Sequence, residues 1–153
     1  MSDDYVYIIP EGPELVPDEA KRQSAVSYFR GIAPKAVEVT ASVSDPVEFI
    51  HCGQNFGKIR CPSCGAVLEL GQWQDWMDQD FKGKEQGFVL SQHALPCCGA
   101  RHSLHDLNYE WPQGFGRFNV CAENPGVGKL SDEQSARFAH ILGCPVRVIY
   151  QHI

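Results

Sequence analysis

Residues 10–20, PEGPELVPDEA, and residues 124–134, NPGVGKLSDEQ, are the two most alike pieces of this chain, and their surroundings decide its fold. Each follows an aromatic and β-branched stretch of strand character, YVYIIP at 5–10 and FGRFNVCAE at 115–123. Each then breaks on proline and glycine and opens a helix with Asp-Glu. Pro17, Asp18 and Glu19 suit a helix start, since proline fits the first turn and carboxylates suit the positive end of the dipole. Ala25, Val26 and Phe29 share one face of that helix, and Gly31 marks its end. In the second unit Ser131 and Gln134 have capping-box spacing. Leu130, Phe138, Ile141 and Leu142 supply its apolar face, and Gly143 stops it.

A strand follows each helix. AVEVTASV (36–43) alternates, Asp45-Pro46 breaks the pattern, and VEFIHCG (47–53) reads as another short strand. CPVRVIYQHI (144–153) closes the chain. The order is β-α-β-β and then β-α-β, an α+β pattern. The most economical assembly is a ferredoxin-like split βαβ antiparallel sheet with helices on one face. It leaves one strand over, expected as an extra edge strand or hairpin.

The middle has another grammar. Residues 52–114 hold five of the seven cysteines and all three tryptophans. They read as an inserted lobe, with 1–51 and 115–153 forming the α+β core. Within the lobe GQWQDWMDQDF (71–81) has helical spacing. Trp73, Trp76, Met77 and Phe81 would face inward, and Asp75, Asp78 and Asp80 outward. KGKEQG (82–87) reads as a loop and GFVLSQHAL (87–95) as a strand.

IRCPSCGAVLEL (59–70) places two cysteines three apart, with a glycine after the second that allows a tight turn beneath them. LPCCGA (95–100) is a second, irregular half: Leu95 stands where the matching cysteine would be. Zinc takes four ligands in a tetrahedron, so Cys61, Cys64, Cys97 and Cys98 are the candidate set for Zn2+. His102 is the reserve ligand if Cys97 does not take part, with His93 and His105 behind it. The CPxCG knuckle resembles the zinc ribbons, and that resemblance implies a structural metal clamp and a zinc-ribbon-like lobe. CPxC also occurs in thioredoxin-like oxidoreductases, but AVLEL, which follows it here, has strand rather than helix character. A catalytic zinc would need three protein ligands, an open position and a nearby base, and HSLHD (102–106) could supply His102, His105 and Asp106. The same segment also reads as a surface turn. Cys52, Cys121 and Cys144 read as small buried apolar residues.

YEWPQGFGRF (109–118) packs four aromatic residues around Pro112 and two glycines. It suits either the seam between lobe and core or a partner surface. CPxCG, PCCG, YEWPQGF and the helix LSDEQ…ILGCP (130–145) together make the chain similar to a group of small bacterial proteins of unassigned function. That resemblance implies a bacterial, cytoplasmic, stand-alone protein and carries no activity with it.

Net charge is −6, and residues 1–51 hold nine Asp/Glu against four Lys/Arg. Without a basic stripe a nucleic-acid-binding ribbon is disfavoured. No apolar run approaches the ~20 residues of a membrane span. The acidic N-terminus lacks the form of a signal peptide, and an odd count of close cysteines points to metal rather than disulfides. The expected function is a non-enzymatic module with one structural zinc that binds another protein, for which an immunity-type, toxin-neutralising role is one case. The alternative is a zinc-dependent enzyme with a His-containing open site. Oligomeric state has no signature in the sequence.

Overall fold

The computed structural model describes residues 2–153. Four long strands, β1 (Asp4–Pro10), β2 (Glu38–Ile50), β7 (Gly114–Glu123) and β8 (Val146–His152), form one sheet in the order β2-β7-β1-β8. Every neighbouring pair in it is antiparallel. Helix α1 (Glu19–Ile32) joins β1 to β2, and α3 (Asp132–Leu142) joins β7 to β8. Between β2 and β7 come β3 (Ile59–Arg60), α2 (Leu70–Asp80), β4 (His93–Ala94), β5 (Arg101–His102), a turn of 3₁₀ helix at Leu104–Asp106, and β6 (Asn108–Tyr109).

The helix ends follow their local chemistry. Asp18 caps α1 by accepting from the Lys21 N–H at 3.0 Å. At α3 the Ser131 hydroxyl accepts from Gln134 N–H while the Gln134 side chain accepts from Ser131 N–H, so two orphan donors are met reciprocally. Gly143 ends α3 at φ 73°, a left-handed conformation natural to glycine. Ala25 and Phe29 of α1 and Phe138 and Leu142 of α3 share one buried cluster with Val6, Ile8, Val39, Phe118, Val120 and Ala122 of the sheet. Phe29 and Phe138 meet edge to face with centroids 5.1 Å apart, so the two helices are locked together through their rings.

The surplus strand expected from Asp45-Pro46 does not exist. AVEVTASV and VEFIHCG are one strand, β2, whose pairing with β7 shifts register between Val43 and Glu48. Proline lacks the N–H that a central strand must donate, but β2 is an edge strand and the bulge needs no such donor. Arg117 holds the irregularity by donating from Nε to the Ser44 carbonyl at 3.1 Å, and Ser44 Oγ donates to the Pro46 carbonyl at 2.7 Å.

Strand β7 serves two cores. Phe118, Val120 and Ala122 point to the helices, while Phe115, at the other parity, enters a second cluster with Ile59, Leu68, Trp73, Trp76, Leu95, Leu104 and Tyr109. The YEWPQGF stretch thus delivers Tyr109 and Phe115 to the interior and leaves Trp111 outside. Two further expectations fail here. GFVLSQHAL is not a continuous strand: Gly87 and Phe88 make isolated bridges to Val47 and Phe81, and His93–Ala94 pair with Arg101–His102. HSLHD is not a surface turn, because Leu104 and His105 are buried in the 3₁₀ turn.

Candidate metal centre

Each half of the centre is the tip of a short hairpin. In the first, Cys61 N–H donates to the Ala66 carbonyl and Gly65 N–H to the Cys61 carbonyl, both at 2.9 Å. In the second, Leu95 N–H donates to the Ala100 carbonyl at 2.9 Å and Gly99 N–H to the Leu95 carbonyl at 2.8 Å. The glycines have φ of 77° and 76°, the backbone conformation that closes each turn. Position for position, the turns match: Cys61 with Leu95, Ser63 with Cys97, Cys64 with Cys98. The first turn therefore supplies thiols from its first and fourth positions and the second from its third and fourth. Leu95 is buried in the cluster that also buries Cys61, so the second hairpin exchanges a sulfur for an apolar anchor.

The four sulfurs of Cys61, Cys64, Cys97 and Cys98 all lie within 4.8 Å of one another. Cys61 and Cys98 Sγ are 3.7 Å apart, and Cys97 and Cys98 Sγ 4.0 Å. With Zn–S bonds of ~2.3 Å, the edge of a tetrahedral tetrathiolate is about 3.8 Å. A disulfide would need about 2.05 Å. The donor set and its spacing fit a soft divalent cation such as zinc.

Two backbone donors are aimed at the innermost sulfur: Ser63 N–H and Cys64 N–H approach Cys61 Sγ at 3.3 and 3.5 Å. Desolvation opposes ionisation of Cys61, but these donors and the Cys98 and Cys97 thiols outweigh it and lower the thiol to about 7. Desolvation, then the thiols of Cys64, Cys61 and Cys98, push Cys97 up to about 12. Like charges a few ångström apart repel, so without a cation the cluster favours the Cys61 thiolate and disfavours ionisation of Cys97 and Cys98. A bound cation inverts that preference. Cys61 is buried and the other three are exposed, which puts one side of the centre at the surface.

The structure does not bring the reserve residues into the cluster. His102 Nε2 lies 2.8 Å from Ser63 Oγ, the hydroxyl that occupies in the first turn the place Cys97 has in the second. It therefore braces one hairpin against the other. His93 is bound to Asp80 at 2.9 Å and stacks on Trp76 with centroids 5.0 Å apart. Ser91 Oγ also donates to Asp80, at 2.7 Å. Asp80 is 2 % exposed, which overturns its expected outward position. The helical period held the signal: Trp73, Trp76 and position 80 lie three and seven apart on one stripe. Residue type argued the other way, because a lone carboxylate avoids burial, and only the partners across the hairpin reverse that.

His105 is likewise committed elsewhere. Its Nδ1 accepts from Phe115 N–H at 3.0 Å and its Nε2 lies 2.7 Å from the Glu11 carbonyl. An amide can only donate and a carbonyl only accept, so the ring is the neutral Nε2–H tautomer. Burial, then Arg147, hold its pKa below the ordinary histidine value. Arg147 clasps Glu11 through two bonds of 3.0 and 2.7 Å and donates Nη1 to the carbonyls of His105 and Gln113. Desolvation works against the Glu11 carboxylate, but Arg147 prevails and lowers its pKa. Nothing in the sequence pairs Glu11 with Arg147, 136 positions apart. Of the remaining cysteines, Cys52 is buried and bonded to Gln113 Oε1 at 3.3 Å, while Cys121 and Cys144 are only partly covered.

Comparison with family models, curated proteins and solved structures found no match. No helix among the described residues is long and apolar enough to cross a membrane.

Proposed function

We propose that this chain is a non-enzymatic protein-binding module whose middle lobe is clamped by one structural Zn2+, held by Cys61, Cys64, Cys97 and Cys98. The observation that carries this reading is the mutual approach of all four sulfurs within 4.8 Å, at the tips of two matched turns. Bound there, the metal would supply charge neutralisation and a cross-link between hairpins 33 residues apart (Cys64 to Cys97). The paired turns support a zinc-ribbon-like lobe at residues 52–114. The strand order β2-β7-β1-β8, with one crossover helix in each half, supports a ferredoxin-like split βαβ core from residues 1–51 and 115–153.

The alternative, a zinc enzyme using His102, His105 or Asp106, loses His105, since both of its ring nitrogens are bonded to backbone. The partner is a protein, with a toxin neutralised by an immunity-type complex as one case. The acidic excess favours a basic one. Cysteines gathered as thiols suit a reducing compartment, and we assign the protein to the cytoplasm.

Metal analysis of the purified protein with X-ray absorption tests the clamp. One zinc per chain with four sulfur neighbours is expected. A mixed nitrogen–sulfur shell with an exchangeable water would sink the structural assignment and revive the enzyme.

A further inference from the structure

Away from the cysteines, a groove of about 660 Å3 opens where the start of β1 and the end of β8 meet residues 110–112 and the turn at 125–129. That volume lies in the range of ligand sites and exceeds what one side chain fills. Trp111, 43 % exposed, lines it, whereas Trp73 and Trp76 are buried. Pro112 and Pro125 add rigid apolar wall beside it.

The polar atoms around this aromatic surface are mostly acceptors. Glu110 uses Oε2 to accept from Lys58 N–H at 2.8 Å, and Asp4 uses Oδ1 against His152 Nδ1 at 2.6 Å. Asn55 gives its Nδ2 to the Tyr150 carbonyl at 3.0 Å, so its Oδ1 is the end left over. Among the described residues, no hydrogen bond engages the second oxygen of Glu110 or Asp4, or Oδ1 of Asn55. The donors that remain are Lys129 and the Tyr5 and Tyr150 hydroxyls, which can also accept. Gln151 Nε2 is spent on the His51 carbonyl at 2.9 Å, His152 faces Asp4, and Lys129 sits exposed on the turn. An exposed indole beside two carboxylates and an amide oxygen calls for a planar cation rich in donors. Arginine fits better than lysine, because its guanidinium stacks on rings and bonds several oxygens at once. The chain's net charge of −6 favours its approach.

We propose that this groove docks an arginine of a basic polypeptide, its guanidinium over Trp111 and bonded to the free oxygens of Glu110, Asp4 and Asn55. The flanking backbone lies along Pro112 and Pro125. The inference rests on the protein-binding reading above and names the chemistry of the partner's contact.

The test is titration of the intact, metal-loaded protein with an acetylated, amidated peptide carrying two arginines, followed through the indole N–H resonances. A matched peptide with citrulline for arginine removes the charge and keeps the shape. Saturable movement of the Trp111 signal is expected, with Trp73 and Trp76 still. Read by isothermal titration calorimetry, binding should weaken about tenfold with citrulline, with W111A and with E110Q/D4N, as loss of a stacked, charge-assisted contact implies. Glutamine at 110 can still accept from Lys58 N–H, and unchanged melting certifies that the variants fold. Equal binding of the citrulline peptide, or no movement of Trp111 at millimolar peptide, overturns the proposal. Agmatine binding as tightly as the peptide also overturns it, since the occupant would then be a small cation. If the arginine peptide fails while a native partner still binds and protects another face, the groove is refuted and the protein-binding module stands.

Discussion

His105→Ala strips two buried backbone groups of their hydrogen-bond partners at once. His105 is 2 % exposed, and its two nitrogens satisfy Phe115 N–H and the Glu11 carbonyl. Alanine leaves both backbone groups without partners, at about 1–3 kcal/mol each, and opens a ring-sized gap against Phe115. The expected loss is about 3–5 kcal/mol, a large share of the ~5–15 kcal/mol typical of a domain. Urea unfolding at pH 7.5, with the metal state held constant, measures it. His102→Ala is the control: it removes one exposed contact to Ser63 Oγ and should change stability by under ~1 kcal/mol.

The pH dependence gives a second handle on the same residue. Protonating Nδ1 would turn it against the Phe115 N–H that it now accepts from, and burial and Arg147 already disfavour the charge. Glu11 and Asp106 favour the proton, but do not prevail. The unfolded chain therefore binds a proton below about 6.5 that the folded chain refuses, and stability falls as pH drops through that value. Glu11, also depressed, acts in the same direction, but only below the carboxylate range. The difference between parent and His105→Ala should thus shrink from pH 7.5 to 5.5. A loss under ~1 kcal/mol, or a pH-independent difference, would refute this account of the network.

Cys64→Ser or Cys98→Ser should abolish tight binding of one zinc per chain and lower the melting temperature, as should a strong chelator on the parent; calorimetry with and without chelator reads both. Asp80→Ala strips the shared acceptor from Ser91 and His93 and should destabilise by about 2–4 kcal/mol in urea, with increased amide exchange around β4. Gly53→Ala should destabilise by at least ~1 kcal/mol in the same assay, since an added Cβ would press into the His152 carbonyl at a backbone φ of +64°.

Local chemistry marked the helices and the cysteine turns in advance, because their determinants lie within a few residues of one another. Ser131 and Gln134, Gly143, and the glycines after Cys64 and Cys98 act on their own stretch of backbone, and period and spacing reveal them. Asp45-Pro46 misled because proline's missing N–H matters only relative to a neighbour. Whether it ends a strand or rides in a bulge depends on β2 being an edge. Asp80 and His105 misled for the same kind of reason. A carboxylate or an imidazole can be buried only if distant groups meet its hydrogen bonds, and those partners, Ser91 and His93 or Glu11 and Phe115, are set by packing. Sequence by itself determined the strand-helix-strand order of each half and the four sulfurs that could share one metal. Tertiary structure alone decided which polar residues went inside, how Arg147 ties the two ends together, and that Leu95 anchors the second turn in place of a thiol. The physical reason is reach: capping and turn formation are settled over about four residues, whereas burial of a charge is settled by whatever the whole chain brings beside it.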